Sequence, residues 1–339
     1  MTSVLVAGLG ETGVRAARQL LDTPGIDRVV VAARTEARAR EVAAALDDGA
    51  EAWALGASGE FPPGIDAVAS AVPAAADLVL ARAAVERGIP FASVTDDREV
   101  TSGLIALDAA ARERGTRIVA GCGLAPGLAD VLVRHAAGVL DSIDEIHVAR
   151  FGVAGPACAA AARRAQREPV IEWYGGAAAS VRNRGAELVW FPDPVGAREC
   201  ELVGTGVDLL AAATPGVERV TARLGMPAPR RLTAPGFRAV AGSRRRDPAV
   251  GFGAVRAEIW GWRGRERATV VYGVIERTSI AAGTVLGVAT AWLAGALPDL
   301  GASGSGASGL ATAVEPAPFL AELARRGVKA AVFEGVAVA

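Results

Sequence analysis

The chain has 339 residues, long for one compact core and suited to two domains that share a site. Its 36 lysines and arginines against 37 aspartates and glutamates leave a net charge of −1, so no electrostatic drive toward nucleic acid or an anionic membrane exists. Hydrophobic residues at 51% and charged residues at 22% belong to a folded chain, and three cysteines without a CxxC spacing argue against a disulfide framework or structural zinc. A reducing, cytoplasmic setting follows.

Val4–Ala7 is an apolar run of strand length. It leads into Gly8-Leu-Gly10-Glu11-Thr12-Gly13 and then into the helical stretch Val14–Leu21. Strand, glycine loop and helix in that order point to dinucleotide binding. Gly8 makes the turn, Gly10 admits the diphosphate and Gly13 allows close packing, while Glu11 and Thr12 open a helix whose free N–H groups face the phosphates. Glu11 and Arg15 follow the apolar run at once, so it is not a targeting signal.

The second strand, Arg28–Ala33, ends at Arg34 and Thr35 where NAD enzymes usually place an acidic residue. A guanidinium grips a 2′-phosphate through charge-assisted bonds, and Arg38 lies one helical turn beyond. NADP is therefore the expected nucleotide. The other reading stacks Arg34 on adenine and accepts NAD as well.

The βα pattern continues with a strand over Asp66–Pro73, a helix over Asp77–Arg87 and a strand over Pro90–Val94 that ends at Thr95-Asp96-Asp97. A helix over Leu104–Arg114 and a strand over Thr116–Ala120 follow. This alternation predicts an α/β fold, a Rossmann-type doubly wound parallel sheet. Ligands in such sheets sit beyond the carboxyl ends of the strands, so Val72, Pro73, Asp96, Asp97 and Cys122 are expected around one crevice.

Several catalytic schemes are missing. Lys329 is the sole lysine, the two histidines His135 and His147 cannot complete a three-histidine metal site, and neither tyrosine has a lysine four residues on. No Gly-x-Ser-x-Gly elbow and no Gly-x-x-x-x-Gly-Lys phosphate loop is present. No metal is expected, and what survives is chemistry carried mostly by a bound nucleotide.

Gly121-Cys-Gly-Leu-Ala-Pro-Gly-Leu-Ala-Asp130 resembles the hinge of the saccharopine dehydrogenase-like family, which includes saccharopine reductase and lysine 6-dehydrogenase. Gly88-Ile-Pro-Phe-Ala-Ser-Val-Thr-Asp-Asp97 and the glycine loop fit the same layout, and Trp190–Gly196 and Gly327–Gly335 are similar to a bacterial branch of it. The resemblance implies a pyridine-nucleotide oxidoreductase acting at a carbon–nitrogen bond. Saccharopine reductases carry an aspartate where this chain has Ala125, so the resemblance does not carry saccharopine over as substrate. Lysine 6-dehydrogenases match at that point, but tend to an asparagine where Asp130 stands.

Pro126 fits the first turn of a helix over Leu128–Val139. Asp130, near that helix's start, either meets the substrate or merely complements the helix dipole and pairs with Arg134. Cys122 reads as a small core filler.

Beyond the hinge, Ile143–Phe151 alternates like a half-buried strand with His147 in a structural role, and Gly152–Pro156 is a loop that the resemblance places near the substrate. Arg163–Arg167 reads as a solvated helical charge run and not as a nucleic-acid patch. Glu172-Trp173-Tyr174 and Trp190–Pro194 are candidates for one aromatic wall, or else ordinary core. Gly253–Gly261 and Ala268–Ile275 read as strands joined by a turn, while Arg244-Arg-Arg-Asp247 is a basic surface loop or a carboxylate site. Thr278–Pro298 holds no charge and few large apolar residues, which favours a buried or dimer-seam helix over a membrane span. Gly301–Gly309, with four glycines in nine residues, reads as a flexible loop or a lid.

The expected division is therefore a nucleotide-binding domain over 1–124, an α+β substrate and dimerisation domain over 125–277, and C-terminal helices over 278–339 that return to the first. Asp97 and Asp130, with Tyr174 a weaker third, are the candidates for handling the substrate's nitrogen in a homodimeric, NADP-dependent imine reductase or amine dehydrogenase. The competing readings are a non-catalytic NADP-binding sensor and a reductase of C=C or C=O bonds.

Overall fold

A computed structural model describes residues 1–46, 49–56, 60–181, 185–227, 251–301 and 304–335. The first part alternates strands and helices: β1 (Ser3–Ala7), α1 (Glu11–Leu21), β2 (Arg28–Ala33), α2 (Glu36–Ala45), β3 (Ala50–Ala54), β4 (Ala67–Ser70) and α3 (Ala74–Glu86). β5 (Phe91–Ser93), α4 (Arg98–Ile105), α5 (Asp108–Glu113) and β6 (Arg117–Ala120) complete it. The single helix expected over Leu104–Arg114 is thus two short ones. Asp97 caps the first by accepting from Val100 N at 3.1 Å.

The middle part contains α6 (Leu128–Ala136), β7 (Ser142–Phe151), α7 (Gly155–Ala165), β8 (Val170–Tyr174), β9 (Ala177–Val181), β10 (Ala186–Phe191) and β11 (Gly196–Val203). α8 (Val207–Ala213), β12 (Arg219–Gly225), β13 (Gly253–Arg263) and β14 (Glu266–Glu276) follow. The chain ends through α9 (Thr278–Leu293), β15 (Gly306–Gly309), α10 (Leu310–Ala313), α11 (Pro316–Arg325) and β16 (Ala330–Gly335).

The first sheet has the strand order β15-β6-β5-β4-β1-β2-β3 and is parallel throughout. Order reverses at β1, which lies between β2 and β4, and that switch point opens a crevice at the carboxyl ends. Val4, Leu5, Val6 and Ala7 are fully buried, as a strand covered on both faces by helices must be. The second, mixed sheet runs β10-β11-β12-β7-β13-β14-β16, with β8 and β9 branching from β12. One core continues from α1 and α9 through α6 into the inward faces of β7 and β13.

Two expectations are corrected here. Gly306–Gly309 is neither free loop nor lid: it is the seventh strand of the first sheet, paired with Arg117–Ala120 and held by Ala307 N donating to Asp108 at 2.8 Å. Of the two places expected for the uncharged helix α9, the structure shows the buried one, with nearly all of it covered by α1 and the first sheet. Pro126 lies before α6 rather than in its first turn, following a cis peptide bond after Ala125. Among the described residues no helix is long and apolar enough to cross a membrane. The segment Arg244–Asp247 lies outside the described residues.

Candidate active site

The glycine loop has a distinct reason for each glycine. At Gly8, with φ of +90°, a Cβ would run into the backbone of Ala71 and Val72. At Gly13 it would overlap the Gly8 carbonyl, so helix and strand cannot pack with any side chain there. A Cβ at Gly10 meets nothing, because that position faces an open cleft. Gly10 caps α1 without a side-chain acceptor, and the first N–H groups of the helix stay available to an anion. At the end of β2, Arg34 and Thr35 are exposed; Thr35 caps α2, and Arg38 Nη2 donates to the Leu9 carbonyl at 3.2 Å. The Arg34 guanidinium has no hydrogen bond or ion pair among the described residues.

In front of this loop lies a cleft of about 330 Å³ between the first sheet and the second domain. Glu11 and Thr12 line one side, Val72 and Pro73 the strand end next to it, and Asp96 and Asp97 the next. The opposite wall comes from beyond the hinge. Arg150, at the end of β7, is nearly buried and holds Asp96 at 2.7 Å, and Arg164 of α7 holds Asp97 at 2.8 Å. Two guanidinium–carboxylate pairs therefore bridge the walls of the cleft, one mostly buried and one half exposed.

Neither arginine was expected. Arg163–Arg167 reads as a solvated run, and its arginines are exposed, yet α7 lies over the cleft and half-exposed Arg164 reaches Asp97. Arg150 follows Ile146 and Val148 on the inward face of its strand, so a charge at a position patterned for the core was the available signal. The glycine-rich loop after β7 is only Gly152–Ala154, because α7 begins at Gly155.

Asp130 is buried, but it does not line the cleft. It faces a hollow of about 10 Å³ behind Ala125 and Pro126, which shares Arg150 with the cleft and adds Thr205. Burial pushes its pKa up to about 8, against a hydrogen bond from the Gly127 backbone. The expected pairing with Arg134 is absent, since that side chain donates to the Ala311 carbonyl at 2.6 Å. Cys122 is fully buried below the strand ends, and burial holds its thiol far above the usual range. Tyr174 lies away from the cleft, 62% exposed at the end of β8.

The expected aromatic wall does not form at the cleft either. Phe191 packs into a small cluster with Phe151 and Val195, whereas Trp190 stands on the outer side of the second sheet. His147 bonds Thr221 at 2.8 Å and Glu145 at 3.1 Å, and burial keeps its pKa below the ordinary value.

Residues 1–95 match the family model described as shikimate / quinate 5-dehydrogenase. No curated protein matches the chain in sequence. Among solved structures, saccharopine dehydrogenase (L-Glu forming) from Saccharomyces cerevisiae superposes over 99% of this chain and 100% of its own, with a TM-score of 0.71 at 13% identity. Homospermidine synthase from Legionella pneumophila, solved with NAD, covers 98% and 91% with a TM-score of 0.64 at 12% identity. DAP dehydrogenase of C. glutamicum, solved with DAP, covers 96% and 98% at a TM-score of 0.53 and 14% identity. The chain has the two-domain fold of saccharopine dehydrogenase from end to end.

Proposed function

We propose that the protein is a nicotinamide-nucleotide-dependent oxidoreductase that prefers NADP and acts at the C–N bond of a small amino-acid-like substrate. The carrying observation is the cleft itself, with a glycine loop on one side and two arginine–aspartate pairs on the other. In this reading residues 1–124 hold the nucleotide and residues 125–277 the substrate. The structural neighbours support it by their kind: saccharopine and DAP dehydrogenases are named for amino-acid-type substrates.

The open space at Gly10 and the uncapped first turn of α1 fit a diphosphate. Arg34, without a partner among the described residues, and Arg38 suit a 2′-phosphate. Bound there, the nucleotide supplies or accepts a hydride. Arg150 and Arg164 then hold a substrate carboxylate, each exchanging part of its aspartate pairing for it. Asp97 and Asp96 hold the positively charged nitrogen. Asp130, raised to about 8 by burial, stands in the hollow behind Pro126 that Arg150 also lines.

The test is NADPH oxidation over a panel of 2-oxo acids with amines and of preformed cyclic imines. Turnover is expected with at least one acid-bearing substrate, and Arg164→Gln should raise its KM about tenfold while leaving the melting temperature nearly unchanged, as for an exposed ion pair. NADPH that binds and is never oxidised across the panel points instead to a nucleotide sensor. Oxidation only with C=O or C=C compounds moves the reaction to those bonds. We also read the chain as a cytoplasmic homodimer. Three free cysteines support the compartment, and Leu188, Trp190 and Trp260, exposed on the second domain, support the association. A monomer mass by light scattering contradicts the dimer.

A further inference from the structure

Asp77 lies in the first turn of α3 and is 1% exposed, on no surface that a ligand or solvent reaches. Its two carboxylate oxygens accept from Ser70 Oγ, at 2.5 Å, and from Ser93 Oγ. Ser70 ends β4 and Ser93 ends β5, and the two residues are partners in the parallel ladder. Ser93 Oγ accepts in turn from Thr95 N at 3.0 Å, and the Ser93 carbonyl accepts from Cys122 N at 2.6 Å. One buried carboxylate thus ties together the strand ends that run on into Val72, Thr95 and Gly123 at the cleft. Burying a carboxylate is costly, and serine hydroxyls at two strand ends could hydrogen-bond backbone or each other without it. A tie of this kind needs no charge.

We propose that Asp77 sets the preference of the cleft for the oxidised over the reduced nucleotide, because its buried carboxylate lies beneath the ends of β4 and β5, the side of the cleft left for the nicotinamide when the diphosphate lies at Gly10 and the 2′-phosphate at Arg34. The inference rests on the nucleotide reading above. The oxidised ring carries a positive charge and the reduced ring none, so a fixed anion beneath the ring site attracts one form selectively. A charge shielded from water is weakly screened, which gives it reach across one layer of backbone.

Burial raises Asp77 to about 6, while the two serine hydroxyls oppose the shift. The carboxylate is therefore charged at pH 8 and mostly neutral at pH 5. The titratable group coupled to it is the Cys122 thiol, which burial keeps protonated. Charges at the start of α4, which packs on α3, are Asp97, paired with Arg164, Arg98, paired with Asp208, and Glu99.

The experiment measures Kd for NADP+ and for NADPH, each at pH 8 and pH 5, in the wild type and in Asp77→Asn. At pH 8 the variant is expected to weaken NADP+ about fivefold and to leave NADPH within twofold. At pH 5 the wild-type ratio of the two constants should approach that of the variant. The 2′-phosphate titrates in both nucleotides and cancels in the ratio. A response from Asp130 persists in the variant and is subtracted. Equal weakening of both nucleotides by Asp77→Asn overturns the inference and leaves Asp77 a structural tie. A wild-type ratio that does not move with pH overturns it as well, even where the variant fails to fold. Wild type that binds neither nucleotide refutes the underlying nucleotide reading, an outcome distinct from an unchanged ratio.

Discussion

Asp130 and Arg150 show how one buried residue sets the behaviour of its surroundings. Asp130 has its folded pKa raised to about 8 by burial, far above the ordinary carboxylate value. Its contribution to stability is complete in acid and is lost as pH rises through 8, because the folded chain binds a proton that the unfolded chain has released. The chain should therefore lose about 3 kcal/mol of stability from this group between pH 6 and pH 9. Asp130→Asn should flatten that part of the curve, as followed by denaturant unfolding at each pH, and a wild-type profile with no alkaline decline counts against the buried neutral acid. Arg150 is a second case. Arg150→Met leaves Asp96 without its partner at the edge of the core and should cost about 3 kcal/mol, whereas the exposed Arg164→Gln should cost under about 1 kcal/mol.

At the scale of elements, the glycine loop offers a paired test. Gly10→Ala places a methyl in open space and should leave the melting temperature within a few degrees while weakening nucleotide binding about tenfold or more. Gly13→Ala forces a methyl onto the Gly8 carbonyl and should lower stability as well as binding. Equal stability of the two variants contradicts the assignment of roles. This loop was legible from sequence because β1, the loop and α1 are contiguous and each glycine answers a local constraint. The same holds for β2, β4, β5 and β6, which alternate with helices within short spans, whereas β3, a half-exposed edge strand without an apolar run, was not read.

Some of the elements missed are made by distant partners. β15 is four residues of glycine, alanine and serine with no hydrophobic period, and it is a strand only because β6 and Asp108 complete it. In α7 the helical charge run was legible, but nothing local marks Arg164 as the arginine that reaches Asp97. Asp77, near the start of a legible helix, shows its partners only after folding brings the ends of β4 and β5 beside it.

At the scale of the whole molecule, the chain closes on itself. After the second sheet it returns through α9 to pack on α1, adds β15 to the edge of the first sheet, and finally adds β16 to the edge of the second. Both walls of the cleft are thereby held from the C-terminal segment as well as from the hinge at Gly121–Gly127. A net charge of −1 exerts little long-range pull on any ligand, so recognition falls to groups inside the cleft and at the end of β2. The most direct test of that reading is a fluorescence titration with NADPH and NADH in parallel. Tight binding of NADPH with NADH at least tenfold weaker, and loss of that difference in Arg34→Ala, is the predicted result. Binding of neither nucleotide by the folded protein contradicts the account at its base.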